Sequence, residues 1–210
     1  MKKEELFDKV SSYTVLSQER KEALYRCAKE VIQNKVRGDL VECGVFNGGS
    51  AGILCGVLQD LQADNRIWLF DSFEGLPNPT KYDIDSHGTR GKKGLFSGSE
   101  QKVRELLFEK LKIKEKQVEI VKGWFEKTIP FYAPKIKSIS LLHIDGDFYE
   151  STKICLEYLF DKIERGGYLV VDDYGRWKGC KKAVDEFFKS CGIPLKLAES
   201  DYTGRYYKKP

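Results

Sequence analysis

Short apolar runs occur at intervals along the chain and alternate with stretches of helical character. The runs are Leu40–Cys43, 67–71, 118–121, 136–144 and 168–171. Each is short and apolar enough to predict a strand. Other stretches, at 50–61, 103–111, 151–163 and 180–190, predict helices. Because strands alternate with helices, the sequence predicts an α/β fold, with a mostly parallel sheet that carries helices on both faces.

The two ends of the chain extend this pattern. Residues 17–34 have an apolar helical stripe, and Ser17 is a candidate N-cap. We assign residues 1–36 to an N-terminal helical segment that packs on the core or on a partner, and residues 37–210 to the main domain. The tail predicts a final pair of strands joined through the turn at 202–204.

The segment 72–98 lacks periodicity and is rich in glycine, proline, aspartate and serine. A loop this long inside a compact domain is usually functional or mobile. We therefore expect it to close over a bound ligand. His87 lies in this segment and would approach a site only through that closure.

Composition limits the class of protein. The chain has 210 residues, 41% of them hydrophobic, which suits one compact domain. Its net charge of +4 is small and its lysines are dispersed, so nucleic acid is not an expected partner. No apolar window is long enough to span a membrane, and the charged N-terminus lacks the apolar centre of a signal peptide. The six cysteines include no CxxC pair, which argues against a zinc cluster or a disulfide framework. We expect a cytoplasmic protein.

Acidic residues stand at or near the ends of several predicted strands. They are Glu42, Asp71, Asp145 and the pair Asp172–Asp173. The carboxyl ends of parallel strands open onto one crevice, where ligands bind. We therefore expect these acids to rim a site.

The stretch ECGVFNGGS predicts a tight turn between the first strand and its helix. Gly44, Gly48 and Gly49 let the backbone approach a ligand closely, although a purely structural corner explains them equally well. Asp71, at the end of the second strand, is placed to accept hydrogen bonds from both hydroxyls of a ribose. Its alternative role is to cap the next turn. Together the turn and the acid favour a ligand that contains a nucleoside.

The chain contains no GxxxxGK[ST] phosphate loop, so the expected nucleoside lacks phosphates. This combination indicates S-adenosylmethionine. After the third strand, the stretch Lys122-Gly123-Trp124-Phe125 offers aromatic surface on which an adenine ring could stack. Phe125 fits a core position equally well.

Three of the strand-end acids form a candidate metal site. Asp145, Asp172 and Asp173 would repel one another without a cation, and oxygen ligands suit Mg²⁺ or another divalent ion. Asp147 and Asp173 have the alternative role of capping the following helices, which we favour for Asp147. His143 shares a strand face with Asp145 and is a candidate base or partner of a ligand, although a histidine within a strand is more often structural.

Four ordered motifs resemble the macrocin O-methyltransferase family, whose members methylate sugar hydroxyls on macrolides and related natural products. They are GDLVECGVFNGGS, LFDSFEGLP, LLHIDGDFYEST and GGYLVVDDYG, between Gly38 and Gly175. The resemblance implies a Rossmann-like methyltransferase fold, with a seven-stranded, mostly parallel sheet and a C-terminal antiparallel hairpin. It also implies S-adenosylmethionine as donor and a divalent cation, usually Mg²⁺.

The resemblance also assigns roles to residues. It implies Asp145, Asp172 and Asp173 as metal ligands. Asp145, and His143 by its place on the same strand face, are the catalytic candidates. The residues expected to contact the donor are Glu42, Gly44, Phe46, Gly48, Gly49, Ser50, Asp71, Ser72, Gly123, Trp124 and Asp145. The motifs are also similar to catechol-type methyltransferases, which carry a lysine base shortly after the first metal aspartate. Here that stretch is Gly146-Asp147-Phe148, so the base stays unassigned.

We therefore expect an S-adenosylmethionine- and Mg²⁺-dependent O-methyltransferase. The expected acceptor is a hydroxyl of a sugar or polyol-like natural product, a small and glycosidic molecule. Two alternatives stay open: a hydroxylase-like metal enzyme of the same fold, and a non-catalytic donor-binding or assembly protein. The N-terminal helix and Tyr202, Tyr206 and Tyr207 are candidate contacts of a homodimer.

Overall fold

A computed structural model describes all 210 residues and contains one seven-stranded sheet. The strands are β1 Asp39–Cys43, β2 Ile67–Asp71, β3 Val118–Lys122, β4 Ile139–Ile144, β5 Ile163–Val171, β6 Ala198–Glu199 and β7 Arg205–Lys208. Their order across the sheet is β3-β2-β1-β4-β5-β7-β6. The first five are parallel, and β7 pairs antiparallel with both β5 and β6. The predicted fold class, including the C-terminal antiparallel hairpin, is confirmed.

Helices cover both faces of the sheet. They are α1 Lys3–Val10, α2 Gln18–Gln33, α3 Gly49–Asp60, α4 Glu100–Arg104, α5 Phe125–Tyr132, α6 Tyr149–Leu159 and α7 Lys178–Ser190. The short α4 continues directly into a π-helical segment, Glu105–Lys110. No helix combines the length and the apolar character that crossing a bilayer requires.

The sheet separates two layers of core because successive side chains of a strand point to opposite faces. In β4, Leu141 packs with α1, α2 and α3, whereas Leu142 packs with α5, α6 and α7. We call these the α1–α3 layer and the α5–α7 layer. Every residue of β4 is buried, as expected for a central parallel strand covered on both faces.

Some element boundaries differ from the predicted ones. β4 begins at Ile139 rather than at residue 136, and β5 begins at Ile163 rather than at residue 168. The early part of β5 reads Ile-Glu-Arg-Gly-Gly, which has no apolar alternation. Its pairing is set instead by neighbours, since the Gly166 amide donates to the carbonyl of Lys209 at 2.7 Å. Tertiary contacts therefore extend this strand beyond its apolar run.

The N-terminal segment shares its core with the rest of the chain. Leu6 of α1 packs on α3 at Gly56, where an added Cβ would lie 2.6 Å from a Leu6 methyl. The predicted N-cap of α2 is confirmed, because the Ser17 hydroxyl accepts a hydrogen bond from the Arg20 amide at 3.1 Å. Apolar side chains of α1 and α2 thus belong to the α1–α3 layer of the core.

The middle of the long segment 72–98 is anchored rather than free. The fully buried carboxylate of Asp83 accepts hydrogen bonds from the Tyr149 amide, at 2.7 Å, and from the Thr80 amide, at 2.6 Å. The Lys178 amide donates to the carbonyl of Ile84 at 3.0 Å. The segment therefore holds the N-termini of α6 and α7, and its closure over a ligand stays a prediction.

Replacing Asp83 with alanine is expected to lower the free energy of unfolding by about 2–3 kcal/mol, because the buried amides of Thr80 and Tyr149 lose their acceptor. Denaturant unfolding followed by circular dichroism measures the change. The matched control is Asp85→Ala, whose carboxylate accepts only from the exposed turn amides of His87 and Thr89. This control should lower the free energy of unfolding by less than about 1 kcal/mol. Equal losses in the two variants would contradict the anchoring role.

Candidate active site

The ends of β1 and β4 meet through a backbone contact that only glycine permits. Gly44 has a φ of +96°, and a Cβ there would lie 1.8 Å from the carbonyl oxygen of Asp145. The Asp145 amide in turn donates to the carbonyl of Cys43 at 2.8 Å. The glycine is therefore needed for close approach of two chain segments, which brings the glycine turn beside the acidic end of β4.

Asp71 at the end of β2 holds this turn in place. Its Oδ2 accepts hydrogen bonds from the amides of Val45, at 2.6 Å, and Phe46, at 2.8 Å. Its Oδ1 accepts from the amide of Phe73 at 2.7 Å, which is the local turn foreseen as its alternative role. The carboxylate still borders the large cavity at this edge of the sheet. Asp71 thus organises the loop and also faces the space beside it.

One cavity of about 690 Å³ lies at the carboxyl edge of the parallel strands. It brings together many of the predicted residues from five strand ends. Those that line it are Gly44, Phe46, Asp71, Ser72, Trp124, Asp145, Asp172 and Asp173. Phe125, for which a core position was the alternative, also lines it. Of the strand-end acids, Asp71, Asp145, Asp172 and Asp173 line this one cavity as expected, whereas Glu42 does not.

The second half of the glycine turn does not border the cavity. Gly48 is the N-cap of α3, has a φ of +95° and packs against Val103. A Cβ on Gly49 would lie 2.5 Å from Thr14. Ser50 is buried within α3. Gly123 turns the chain with a φ of +143°, so that its neighbour Trp124, rather than Gly123, reaches the cavity wall.

His143 and Glu42 form a buried pair behind the site. Nδ1 of His143 lies 3.0 Å from Oε1 of Glu42, and His143 is only 1% exposed. Neither side chain lines the cavity, and Oε2 of Glu42 has no hydrogen-bond partner. The expectation that His143 acts directly as a base needs correction, because it has no access to a ligand in the cavity. His87, the other candidate, is exposed and also lies outside the cavity wall.

Four carboxylates line the cavity where β4 and β5 end: Asp145, Asp147, Asp172 and Asp173. Oxygens of Asp145, Asp147 and Asp173 lie within 4.8 Å of one another. The remaining acid, Asp172, forms an ion pair with Arg20 of α2. Of the expected metal ligands, Asp145 and Asp173 are therefore brought together, whereas Asp172 is held beside them by an arginine.

The interpretation of Asp147 as a helix cap is wrong. The N-cap of α6 is Phe148, and no side chain of the adjoining turn caps this helix, since Asp83 serves its first amide instead. Asp147 has a φ of +55° and its Oδ1 accepts a hydrogen bond from Nε1 of Trp177 at 2.6 Å. The turn therefore directs this carboxylate into the acidic cluster.

Burial and mutual repulsion raise the pKa values of the cluster. Burial is the larger cause for Asp145 and Asp173, and the neighbouring carboxylates raise both pKa values further, well above the ordinary range. Burial raises the pKa of Asp147 to about 7, against the opposing effect of the Trp177 hydrogen bond. Burial also raises the pKa of Asp172, but Arg20 counteracts that rise. The cluster is thus costly to ionise in the absence of a cation.

Arg20 is a residue that sequence reasoning missed. Besides contacting Asp172, its Nε lies 3.1 Å from Oδ2 of Asp201, in the turn between β6 and β7. The Ser17 hydroxyl donates to the same Asp201 oxygen at 2.7 Å. The start of α2 and the C-terminal hairpin therefore meet at the edge of the site. No local motif around Arg20 signals this, because its partners are more than 150 residues away in sequence.

The fold is Rossmann-like, and the comparisons with known proteins show an S-adenosylmethionine-dependent O-methyltransferase. The chain belongs to the macrocin-O-methyltransferase (TylF) family, whose sequence pattern matches residues 6–209. The resemblance seen in the four motifs is thereby confirmed.

Individual relatives agree with this assignment. The chain is similar to a demethyldecarbamoylnovobiocin O-methyltransferase of Streptomyces niveus, with 35% identity over 209 residues that cover 95% of this chain and 76% of that protein. A rhamnosyl-tetracenomycin C 4'-O-methyltransferase of Streptomyces olivaceus is 33% identical over 204 residues, covering 94% and 76%. The solved structure of the O-methyltransferase NovP superimposes with a TM-score of 0.85 at 34% identity, covering 94% of this chain and 82% of that one.

The raised pKa values predict a pH-dependent stability in metal-chelated buffer. A carboxyl whose pKa is raised in the folded state stabilises that state fully below its ordinary pKa, and this contribution is lost as pH rises through the raised pKa. For Asp147, the rise from 3.8 to about 7 sets a ceiling of about 4 kcal/mol. The free energy of unfolding should therefore fall between about pH 5 and about pH 8.

Urea unfolding of the wild type and of Asp147→Asn at both pH values tests this. The fall should be smaller in the variant by roughly 1–3 kcal/mol, because the neutral amide does not titrate. Asp64→Asn removes an exposed acid that does not line the cavity and should leave the fall unchanged. Parallel pH profiles for the wild type and Asp147→Asn would refute the electrostatic account of the cluster.

Proposed function

We propose that this enzyme transfers the methyl group of S-adenosylmethionine to a hydroxyl of a sugar or sugar-like acceptor, with Mg²⁺ as a second cofactor. The observation that carries the proposal is that one cavity holds both the donor-side residues and a cluster of four carboxylates. The relatives support a sugar acceptor, since one is a rhamnosyl-tetracenomycin C 4'-O-methyltransferase and another is a mycinamicin III 3''-O-methyltransferase.

The donor is expected on the side of the cavity formed by β1, β2 and β3. Asp71 would accept hydrogen bonds from the ribose hydroxyls with the lone pairs that the backbone amides leave free. Trp124 lies at the end of β3, where its ring would support the adenine. Gly44 keeps this wall free of a side chain, so the methionine part would pass close to the backbone on its way to Asp145.

The acidic cluster fits a divalent cation. Its donors are all carboxylate oxygens, burial raises the pKa values of all four acids, and Arg20 is the one cation in direct contact. Oxygen-only donor sets of this kind suit Mg²⁺. We assign Asp145 and Asp173, whose oxygens lie in the cluster, as protein ligands, and Asp172, which Arg20 holds beside them, as the third ligand. A bound Mg²⁺ would supply Lewis acidity that lowers the pKa of an acceptor hydroxyl.

Asp147 is the residue we assign as proton acceptor. It lines the cavity, and Trp177 fixes its orientation through a hydrogen bond to Oδ1. The acceptor oxygen would form a bond to the methyl carbon while the carbon–sulfur bond breaks. The electron pair of the broken carbon–sulfur bond stays on sulfur, which gives S-adenosylhomocysteine. The proton of the acceptor hydroxyl passes to Asp147. The walls of the cavity contribute by aligning the two reactants.

Incubation with S-adenosylmethionine, Mg²⁺ and a panel of glycosides tests the reaction, with formation of S-adenosylhomocysteine as the readout. We expect product only with a glycoside present and a strong loss of product when a chelator removes the metal. Matched deoxy-glycosides, which lack one hydroxyl each, should identify the methylated position. Full activity in excess chelator would contradict the role of the metal.

Two variants distinguish the role of metal ligand from the role of general base. Asp172→Asn should weaken Mn²⁺ binding, measured by electron paramagnetic resonance, by about tenfold or more. Asp147→Asn should keep the Mn²⁺ affinity within a few-fold and lower kcat by about 10²-fold or more, as expected for loss of a general base. Asp64→Asn serves as control for both measurements. The reverse pattern, with metal binding lost in Asp147→Asn alone, would exchange the two roles.

A further inference from the structure

Arg176 lines the cavity without a charged partner. It lies in the turn between β5 and α7, three positions after Asp173, and its amide donates to the Asp173 carbonyl at 3.0 Å. The two other cations of the cavity wall are paired: Arg20 with Asp172 and Asp201, and Lys153 with Glu157 at 3.9 Å. The guanidinium of Arg176 has no carboxylate within ion-pair distance and packs only against aromatic rings.

The order of the strands places Arg176 on the acceptor side of the site. Along the carboxyl edge, the donor-side residues follow β3, β2 and β1, whereas the acids follow β4 and β5. Arg176 follows β5 and therefore lies beyond the acids as seen from the expected donor. A methyl acceptor that reaches the acids from this side would have Arg176 next to the part of the molecule that does not react.

The ring of Phe96 covers the same region. Phe96 is 40% exposed, lines the cavity, and has its ring centroid 5.9 Å from the Arg176 guanidinium carbon. It belongs to the exposed part of the segment 72–98, opposite the turn that carries Arg176. The ring offers apolar surface to a ligand, whereas the unpaired guanidinium beside it suits an anionic group better than a neutral hydroxyl.

The acidic cluster does not prevent an anion from binding here. Its carboxylates are opposed by Arg20, and under the proposed function they are also opposed by a divalent cation and the sulfonium of the donor. Arg176 then remains a positive charge without an ion pair, and at longer range it also lowers the pKa of Asp147. A guanidinium can hold phosphate or carboxylate oxygens through two parallel hydrogen bonds, which gives both affinity and orientation.

We propose that Arg176 binds an anionic group of the acceptor, so that the natural acceptor is a sugar that carries a phosphate ester or a carboxylate. This inference rests on the proposed function, because it requires the acceptor to enter from the β5 side. Phosphate and carboxylate offer the same chemistry to the guanidinium, and the choice of probes distinguishes them.

Calorimetry on enzyme loaded with S-adenosylhomocysteine and Mg²⁺ tests the proposal with three probes: methyl glucoside, glucuronic acid and glucose 1-phosphate. We expect at least one anionic sugar to bind about 10- to 100-fold more tightly than the neutral one. Arg176→Met should remove this preference and Arg176→Lys should keep part of it. Arg165→Met is the matched control, since Arg165 is an unpaired, exposed arginine of β5 outside the cavity wall.

Equal affinities for the three probes, absence of binding by both anionic sugars, or a preference that survives in Arg176→Met would overturn the proposal. In those cases Arg176 only offsets the charge of the neighbouring acids. The thermal midpoint of each variant shows whether it is folded. Binding of S-adenosylhomocysteine is measured first and separately, so failure of the proposed function, seen as no donor binding, is distinct from failure of the anion preference.

Discussion

The repulsion among four carboxylates at one edge of the sheet, three of them buried and Asp145 half-buried, is the constraint on which the rest of this structure depends. Burial and proximity raise their pKa values, so the acids would separate if the backbone allowed it. The backbone does not allow it. β4 and β5 pair up to Ile144 and Val171, and the Asp172 amide continues this pairing by donating to the Ile144 carbonyl at 2.9 Å. The pairing of the two strands thus keeps these carboxylates close together, where a ligand can bind them.

Other parts of the chain stabilise this edge from outside the sheet. Arg20 joins α2 to Asp172 and to the C-terminal hairpin, so segments near both ends of the chain meet at the site. Asp83 joins the middle of the long loop to the start of α6, directly after the turn that carries Asp147. The site is therefore not a feature of the sheet alone, because segments from the whole length of the chain fix the positions of its acids.

The sequence was most informative where a signal is local. The apolar runs located the five parallel strands, and the acids at the ends of β2, β4 and β5 identified the edge that carries the site. Interactions between distant residues were not predictable in this way. The N-terminus of α6 is served by Asp83, which made the local capping role of Asp147 wrong. Likewise, His143 shares a strand with Asp145, but the sequence does not reveal that Glu42 of the neighbouring strand binds it inside the core.

The two adjacent aspartates after β5 show how one strand end can serve two purposes. Val170 packs in the α1–α3 layer and Val171 in the α5–α7 layer, so the alternation of a strand sends Asp172 towards the first layer and Asp173 towards the second. Their partners agree, since Arg20 belongs to α2 whereas the turn of Asp147 leads into α6. A single acid could face only one layer. Two in succession let the same strand end accept a fixed counter-charge from one side of the sheet and complete the acidic cluster on the other.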